Sequence, residues 1–138
     1  MAKSGLVLFH EAMERFRAHE DLKEQFGRFE RAAARGHEES TWIGSVANDV
    51  EMEDREALKE AFAKTEEPLG WYFAGELSFG RERFDFYKKS ADGGCSWGQA
   101  EYARYFRRGK YVEQDDNVYL EWLEKAANQN NHEAIHLQ

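Results

Sequence analysis

Residues 109–134 read GKYVEQDDNVYLEWLEKAANQNNHEA, and this stretch decides the fold that we predict for the chain. Gly109 opens a turn, and Asp115 is a residue of the type that accepts hydrogen bonds from the free N–H groups of a starting helix. Apolar residues then recur at spacings of three and four, which gives the predicted helix one apolar face: Tyr119, Leu120, Leu123, Ala126 and Ala127. The small pair at the end of this face favours close packing against a neighbouring helix.

The same pattern recurs upstream at regular intervals. Four anchor residues occupy equivalent helix positions, about 29, 29 and 36 residues apart: Phe29, Leu58, Tyr87 and Leu123. The surrounding text agrees in RFERAAARG, ALKEAFAKT, FYKKSADGG and WLEKAANQN. Small residues follow each anchor by three or four positions, and Phe62 is the departure from this rule: Ala32, Ala33, Ala61, Ser90, Ala91, Ala126 and Ala127. Repeats of this length predict stacked helical hairpins.

At these residues the chain resembles the Sel-one-like repeat (SLR) family, which is related to the tetratricopeptide repeat (TPR). The resemblance lies in a glycine turn, a V-x-Q-D entry, a helix ending in W-x-x-K-A-A and an H-E-A link: Gly109, Val112, Gln114, Asp115, Leu120, Trp122, Lys125, Ala126, Ala127, His132, Glu133 and Ala134. Leu123 as the anchor and Asn130 in place of the link glycine depart from the family pattern.

The resemblance implies an all-α fold, a right-handed superhelical solenoid of antiparallel helix hairpins. We expect one domain over residues 1–138, with hairpins at about 5–36, 40–65, 67–94 and 96–130 and a partial helix at 131–138. Capping signals and apolar periodicity predict eight complete helices. We predict that Ser40 caps the third helix, that Asp54 caps the fourth, that Ser96 and Gln99 cap the seventh reciprocally and that Gly80 ends the fifth. The predicted helices are 5–18, 22–35, 41–50, 55–64, 68–79, 81–91, 96–108 and a last one opened by Asp115.

Composition excludes several classes of protein. The chain has 138 residues, 41% of them hydrophobic and 33% charged, and it contains no apolar run of the roughly 20 residues that a membrane span needs. The formal net charge of −8 opposes binding to nucleic acid or to an anionic membrane surface. One cysteine, Cys95, allows no internal disulfide, and no secretory signal is evident. We therefore expect a cytoplasmic, acidic protein whose partner is another protein, with a basic partner fitting the charge best.

The stretch HEAIH at residues 132–136 matches the zinc motif H-E-x-x-H, in which two imidazoles lie one helical turn apart. A zinc-dependent enzyme or another hydrolase is therefore one alternative. The repeat pattern already accounts for His132, Glu133 and Ala134 as the link between hairpins, and only two residues follow the motif. We expect no metal and no cofactor.

No other residue pattern predicts catalysis. Cys95 lies in a turn with no histidine placed to activate its thiol, and Gly93-Gly94 lacks the lysine and preceding strand of a phosphate-binding loop. No pair of acidic residues is distinguished from the other surface glutamates. We therefore predict that the chain is not an enzyme.

Four Trp, six Tyr and ten Phe exceed what a small helical core uses. The repeat alignment sorts some of them, with arginines, to one side of the fifth and seventh helices, which the resemblance implies is a concave face. The predicted partner-binding residues are Tyr72, Phe79, Trp97, Glu101, Arg104 and Arg108. Aromatic residues rimmed by arginine are typical of interaction hot spots. Two functions follow as expectations, an adaptor or scaffold module and an immunity protein that neutralises a basic toxin or enzyme.

Overall fold

The computed structural model describes residues 3–48, 50–51 and 53–129. Eight α-helices and no strand occur in this described part, so the chain is all-α as predicted. The helices are α1 (Gly5–Arg15), α2 (Leu22–Ala34), α3 (Glu38–Ala47), α4 (Arg55–Lys64), α5 (Pro68–Glu76), α6 (Gly80–Asp92), α7 (Ser96–Arg108) and α8 (Asp116–Ala127). In the described residues no helix combines the length and the apolar character needed to cross a membrane.

The chain divides into two compact units, which we describe separately. Unit 1 spans residues 1–61 and unit 2 spans residues 62–138, so the division falls within α4. In unit 1, α2 packs against α1 and α3. In unit 2, α6 packs against α5 and α7, α7 packs against α8, and α5 also contacts α7. The single domain and its four hairpins stay a prediction.

The core of unit 1 is rich in phenylalanine. Phe29 is fully enclosed, and its ring lies 6.2 Å from that of Phe9, 6.2 Å from that of Phe16 and 5.9 Å from that of Phe26. These tilted rings come from α1, α2 and the residue after α1, where apolar side chains recur at helical spacing. Burial of aromatic side chains from two helices thus holds α1 against α2.

The core of unit 2 depends on close approach of helix backbones. A Cβ atom built on Gly98 of α7 would lie 2.1 Å from the Ser90 Oγ atom and 2.5 Å from its Cβ atom. Only glycine therefore fits where α7 crosses α6. The Ser90 hydroxyl is buried and donates to the Pro68 carbonyl at 2.7 Å, which ties α6 to the start of α5. Small residues after the anchor do allow close packing, as predicted from Ser90 and Ala91.

All four anchor residues are buried, as the repeat spacing predicts. Phe29, Leu58 and Leu123 are 0% exposed and Tyr87 is 2% exposed. Leu123 belongs to the cluster that joins α7 to α8, with Ala100, Ala103, Tyr119 and Ala126. Phe62, the departure from the small-residue rule, is also fully buried, and its ring stacks on that of Phe73 at 5.0 Å.

Two predicted caps are confirmed and two are wrong. Asp54 accepts from the Ala57 N–H at 2.9 Å, and Asp115 accepts from the Asn117 N–H at 3.0 Å. The third helix begins earlier than predicted, at Glu38, because His37 is its N-cap and accepts from the Ser40 N–H at 3.2 Å. The seventh helix has Cys95 as its N-cap. The side-chain amide of Gln99 donates to the Ala91 carbonyl at 3.3 Å instead of capping this helix. The predicted reciprocal cap does not form.

The fifth helix ends at Glu76, three residues before the predicted end at Phe79. Its last carbonyl groups have a partner outside the helix, the guanidinium of Arg83. This side chain donates to the carbonyls of Gly75 at 3.1 Å, Ser78 at 3.0 Å and Glu76 at 3.1 Å. Gly80 then begins α6, with a positive φ of 61°, rather than ending α5. Other residues take up this backbone conformation only at a cost.

Candidate partner-binding face

The six predicted binding residues have very different exposures. Phe79 is 66% exposed and Arg108 is exposed, while the side chains of Arg104 and Glu101 are 32% and 18% exposed. Tyr72 and Trp97 are only 5% and 6% exposed. Tyr72 and Trp97 are therefore buried within unit 2, and the assignment of the six residues to a partner-binding face stays a prediction. Phe79 lies in the turn before α6 and not on α5, because α5 ends early.

Trp97 is buried because α7 has neighbours on several sides. This helix contacts α5, α6 and α8, and buried residues occur all around its first turns: Trp97, Gly98, Gln99, Ala100, Tyr102, Ala103 and Tyr105. A helix enclosed in this way has no free apolar face to offer a partner near its start. The accessible part of α7 in the predicted set is its later turns, with Arg104 and Arg108.

A polar cluster lies between α5, α6 and α7, and of its members the sequence predicted Tyr72 and Glu101 but not Glu76 and Tyr87. The Tyr87 hydroxyl donates to the Glu76 carboxylate at 2.6 Å, and an Arg104 nitrogen lies 3.5 Å from the Glu101 carboxylate. The Tyr72 ring lies 6.1 Å from that of Tyr87. We call Tyr72, Glu76, Tyr87 and Glu101 the Tyr–Glu cluster.

The pKa values of the cluster show how its members act on each other. Burial raises the pKa of Glu101, and the nearby charge of Glu76 adds to this effect. The cations Arg104, Arg83 and Arg108 oppose the rise but do not cancel it. Burial also holds the pKa of Tyr72 and of Tyr87 well above the usual range, and the charges of Glu76 and Glu101 contribute to both shifts. The two carboxylates therefore share one electrostatic environment.

The Tyr–Glu cluster is suited to binding a cationic group. The carboxylate oxygens of Glu76 and Glu101 accept hydrogen bonds, and in a partly dehydrated site an ammonium or guanidinium group would interact with them strongly. A bound cation would also favour the charged form of Glu101, which burial disfavours in the free protein.

We predict that the Glu101→Gln variant changes the pH dependence of stability. Because the folded-state pKa of Glu101 is raised, its contribution favours the fold below the unfolded pKa of about 4.3 and is lost as pH rises through the folded pKa. The free energy of unfolding of the wild type should therefore fall relative to that of Glu101→Gln as the pH rises from the unfolded-state pKa through the folded-state pKa of Glu101. Denaturant titrations at several pH values measure this difference. Glu121→Gln, at an exposed position of α8, is the control. A wild-type stability that rises relative to Glu101→Gln would contradict the assignment.

The other sequence candidates for chemistry lie elsewhere or outside the described residues. Cys95 is partly buried as the N-cap residue of α7. The HEAIH stretch at 132–136 and the predicted partial helix at 131–138 lie outside the described residues. Within the described ranges, no three His, Cys, Asp or Glu side chains are grouped as metal ligands would be.

Comparison with known proteins adds no family. No protein-family model matches the sequence, and no curated protein matches it.

Proposed function

We propose that this chain is a non-catalytic protein-binding module of Sel-one-like helical hairpins, stacked as a TPR-type solenoid. In this proposal a protein partner binds the face formed by α5 and the later turns of α7, and a basic side chain of the partner enters the Tyr–Glu cluster.

Three features of the described residues support a repeat architecture. The four anchors are buried. A Cβ atom built on Gly98 would meet Ser90, the small residue three positions after the anchor Tyr87. The contact of α5 with α7, in addition to the contacts of each with α6, is the relation expected between first helices of successive hairpins.

The single observation that carries the proposal is the Tyr–Glu cluster itself. Glu101 is placed at 18% side-chain exposure beside Arg104, so it is dehydrated enough for a strong interaction and open enough to be reached. The hydrogen bond from Tyr87 to Glu76 holds the second carboxylate in position before a partner arrives. Binding sites that are preorganised lose less side-chain entropy on association. The net charge of −8 would also speed the approach of a basic partner.

A binding experiment on the full chain tests this function. The immobilised chain is used to capture a protein from its native extract, and the captured protein is then purified and titrated calorimetrically against variants. We expect Glu101→Gln to weaken binding by about tenfold, since a charge-assisted contact is worth at least 1.4 kcal/mol. Glu121→Gln is the matched control and should bind as the wild type does.

Stability measurements separate binding effects from folding effects. Glu101→Gln should unfold within a few degrees of the wild type at neutral pH, because the change keeps the shape of the side chain and removes a partly buried charge. Equal affinity of the wild type and Glu101→Gln for the captured protein would disprove the proposed role of the α5–α7 face.

A further inference from the structure

A second surface of unit 2 combines exposed rings with exposed cations. Phe79 is 66% exposed, the Arg81 side chain is 65% exposed, and Tyr111 is 39% exposed. Lys110 is exposed beside Tyr111. We call Phe79, Arg81, Lys110 and Tyr111 the aromatic–cation patch. Its members come from the start of α6 and from the loop between α7 and α8, which meet where a Cβ atom built on Gly80, next to Phe79, would lie 3.8 Å from the Tyr111 hydroxyl oxygen. The Phe79 ring borders Arg83, whose guanidinium carbon lies 5.8 Å from the ring centroid. The patch shares no residue with the Tyr–Glu cluster.

The patch has an ordered arrangement. The Arg81 guanidinium carbon lies 5.4 Å from the centroid of the Phe84 ring and 5.4 Å from that of the Tyr111 ring. The Lys110 ammonium nitrogen lies 5.4 Å from the Tyr111 centroid. Phe84, only 4% exposed, supports these groups from within the core. Cation–π contacts hold a guanidinium in place while its N–H groups remain able to donate.

Two backbone turns create this arrangement. Tyr111 has a positive φ of 62°, which is costly for a residue with a side chain, and Gly80 has a φ of 61°. Tyr111 is held there by its ring contacts with Phe84 at 5.4 Å and with Tyr105 at 6.1 Å. Residues held in such conformations concentrate at functional sites, where the strain serves to position a group.

We propose that the aromatic–cation patch binds an acidic segment of a partner protein, in which carboxylate side chains flank an aromatic or aliphatic residue. The cations Arg81 and Lys110 would pair with the carboxylates, and the exposed ring of Phe79 would be covered by the apolar residue. The ion pair that Arg81 makes with Asp85, at 3.5 Å on an open surface, is weak enough to be exchanged. The patch goes beyond the proposed function, since it uses other residues and selects the opposite charge.

A protein segment fits the patch better than a nucleic acid does. A chain with a net charge of −8 repels a polyphosphate at long range, whereas a short acidic peptide carries few charges and gains from apolar contact. The rings at the patch offer apolar surface to a peptide side chain, and arginine with aromatic residues is the composition typical of protein interaction hot spots.

Nuclear magnetic resonance on the full ¹⁵N-labelled chain tests the proposal. The probe is a short synthetic peptide in which two glutamates flank one phenylalanine, at about 0.1 M salt. We expect shifts of the amides in segments 79–84 and 109–112. Arg81→Glu should weaken the peptide affinity by about tenfold or more, and Phe79→Ala should weaken it by several-fold. Lys88→Glu makes a similar charge reversal on α6, about 10 Å along the helix, and should have a much smaller effect.

Several results would overturn the proposal. One is a set of amide shifts that lies away from both segments, and another is an Arg81→Glu variant that binds the peptide as tightly as the wild type. A peptide with lysine in place of glutamate that shifts the same amides would exclude charge selection. A thymidine oligonucleotide that binds the patch more tightly than the peptide would assign the patch to nucleic acid. If Arg81→Glu does not fold, Phe79→Ala still tests the proposal, because truncating a mostly exposed side chain should leave the fold intact.

Discussion

Replacing Trp97 by alanine should lower the free energy of unfolding by about 3–5 kcal/mol. Trp97 is 6% exposed in the first turn of α7, at the point where this helix is enclosed by its neighbours. Removing the indole leaves a cavity that the surrounding helices cannot fill without moving. Denaturant or thermal unfolding followed by circular dichroism measures the loss.

Phe79→Ala is the matched control for this experiment. It also truncates an aromatic residue from the predicted binding set, but at 66% exposure, so its effect on stability should stay within about 0.5 kcal/mol. If Trp97→Ala unfolded at the same denaturant concentration as the wild type while abolishing partner binding, the burial of Trp97 would be refuted and its place in the predicted binding face supported.

Replacing Gly98 by alanine should cost about 1–3 kcal/mol, a large effect for the addition of one methyl group. The new Cβ atom would fall 2.1 Å from the Ser90 Oγ atom, so α6 and α7 would have to separate. Because Ser90 also donates to the Pro68 carbonyl, the displacement would disturb the start of α5 as well. Equilibrium unfolding in denaturant gives the magnitude.

A double-mutant cycle identifies the cause of this cost. Ser90→Gly removes the two nearest atoms that the new methyl group would meet and leaves the Ala91 backbone nitrogen at 3.2 Å. Gly98→Ala should therefore cost less in the Ser90→Gly background than in the wild type. Gly27→Ala is a control on α2, where a built Cβ atom meets nothing within 4 Å, and it should be neutral or slightly stabilising. An unchanged cost of Gly98→Ala beside Ser90→Gly would show that the two helices do not meet at these residues.

Much of the helical content was predictable because the signals are local. Asp54 as a cap and the bounds 55–64 of α4 follow from residues within one or two turns of each other. The start of α3 was missed because His37 acts as its cap, and its ring stacks on Phe9 at 4.3 Å, a contact with a different helix. The end of α5 was missed for a similar reason, since Arg83 of α6 takes its last carbonyls. Local sequence does not show either partner.

The candidate site was less predictable than the helices. Glu76 and Glu101 belong to different helices, and their shared environment exists only once α5 packs against α7. The repeat alignment predicted Glu101 and Arg104 on the same side of α7. The two side chains do form an ion pair. The alignment also predicted Trp97 on that side as a surface residue. An alignment indicates which side of a helix a residue occupies, but it does not show how many neighbouring helices cover that side.

The contacts of Arg83 with the end of α5 also bear on how unit 2 folds. Its hydrogen bond to the Gly75 carbonyl joins residues 8 apart in sequence, and the bond between Tyr87 and Glu76 joins residues 11 apart. Closing such short loops costs little chain entropy, in contrast to contacts that must bring distant segments together. The corner between α5 and α6 can therefore form early and at low entropic cost.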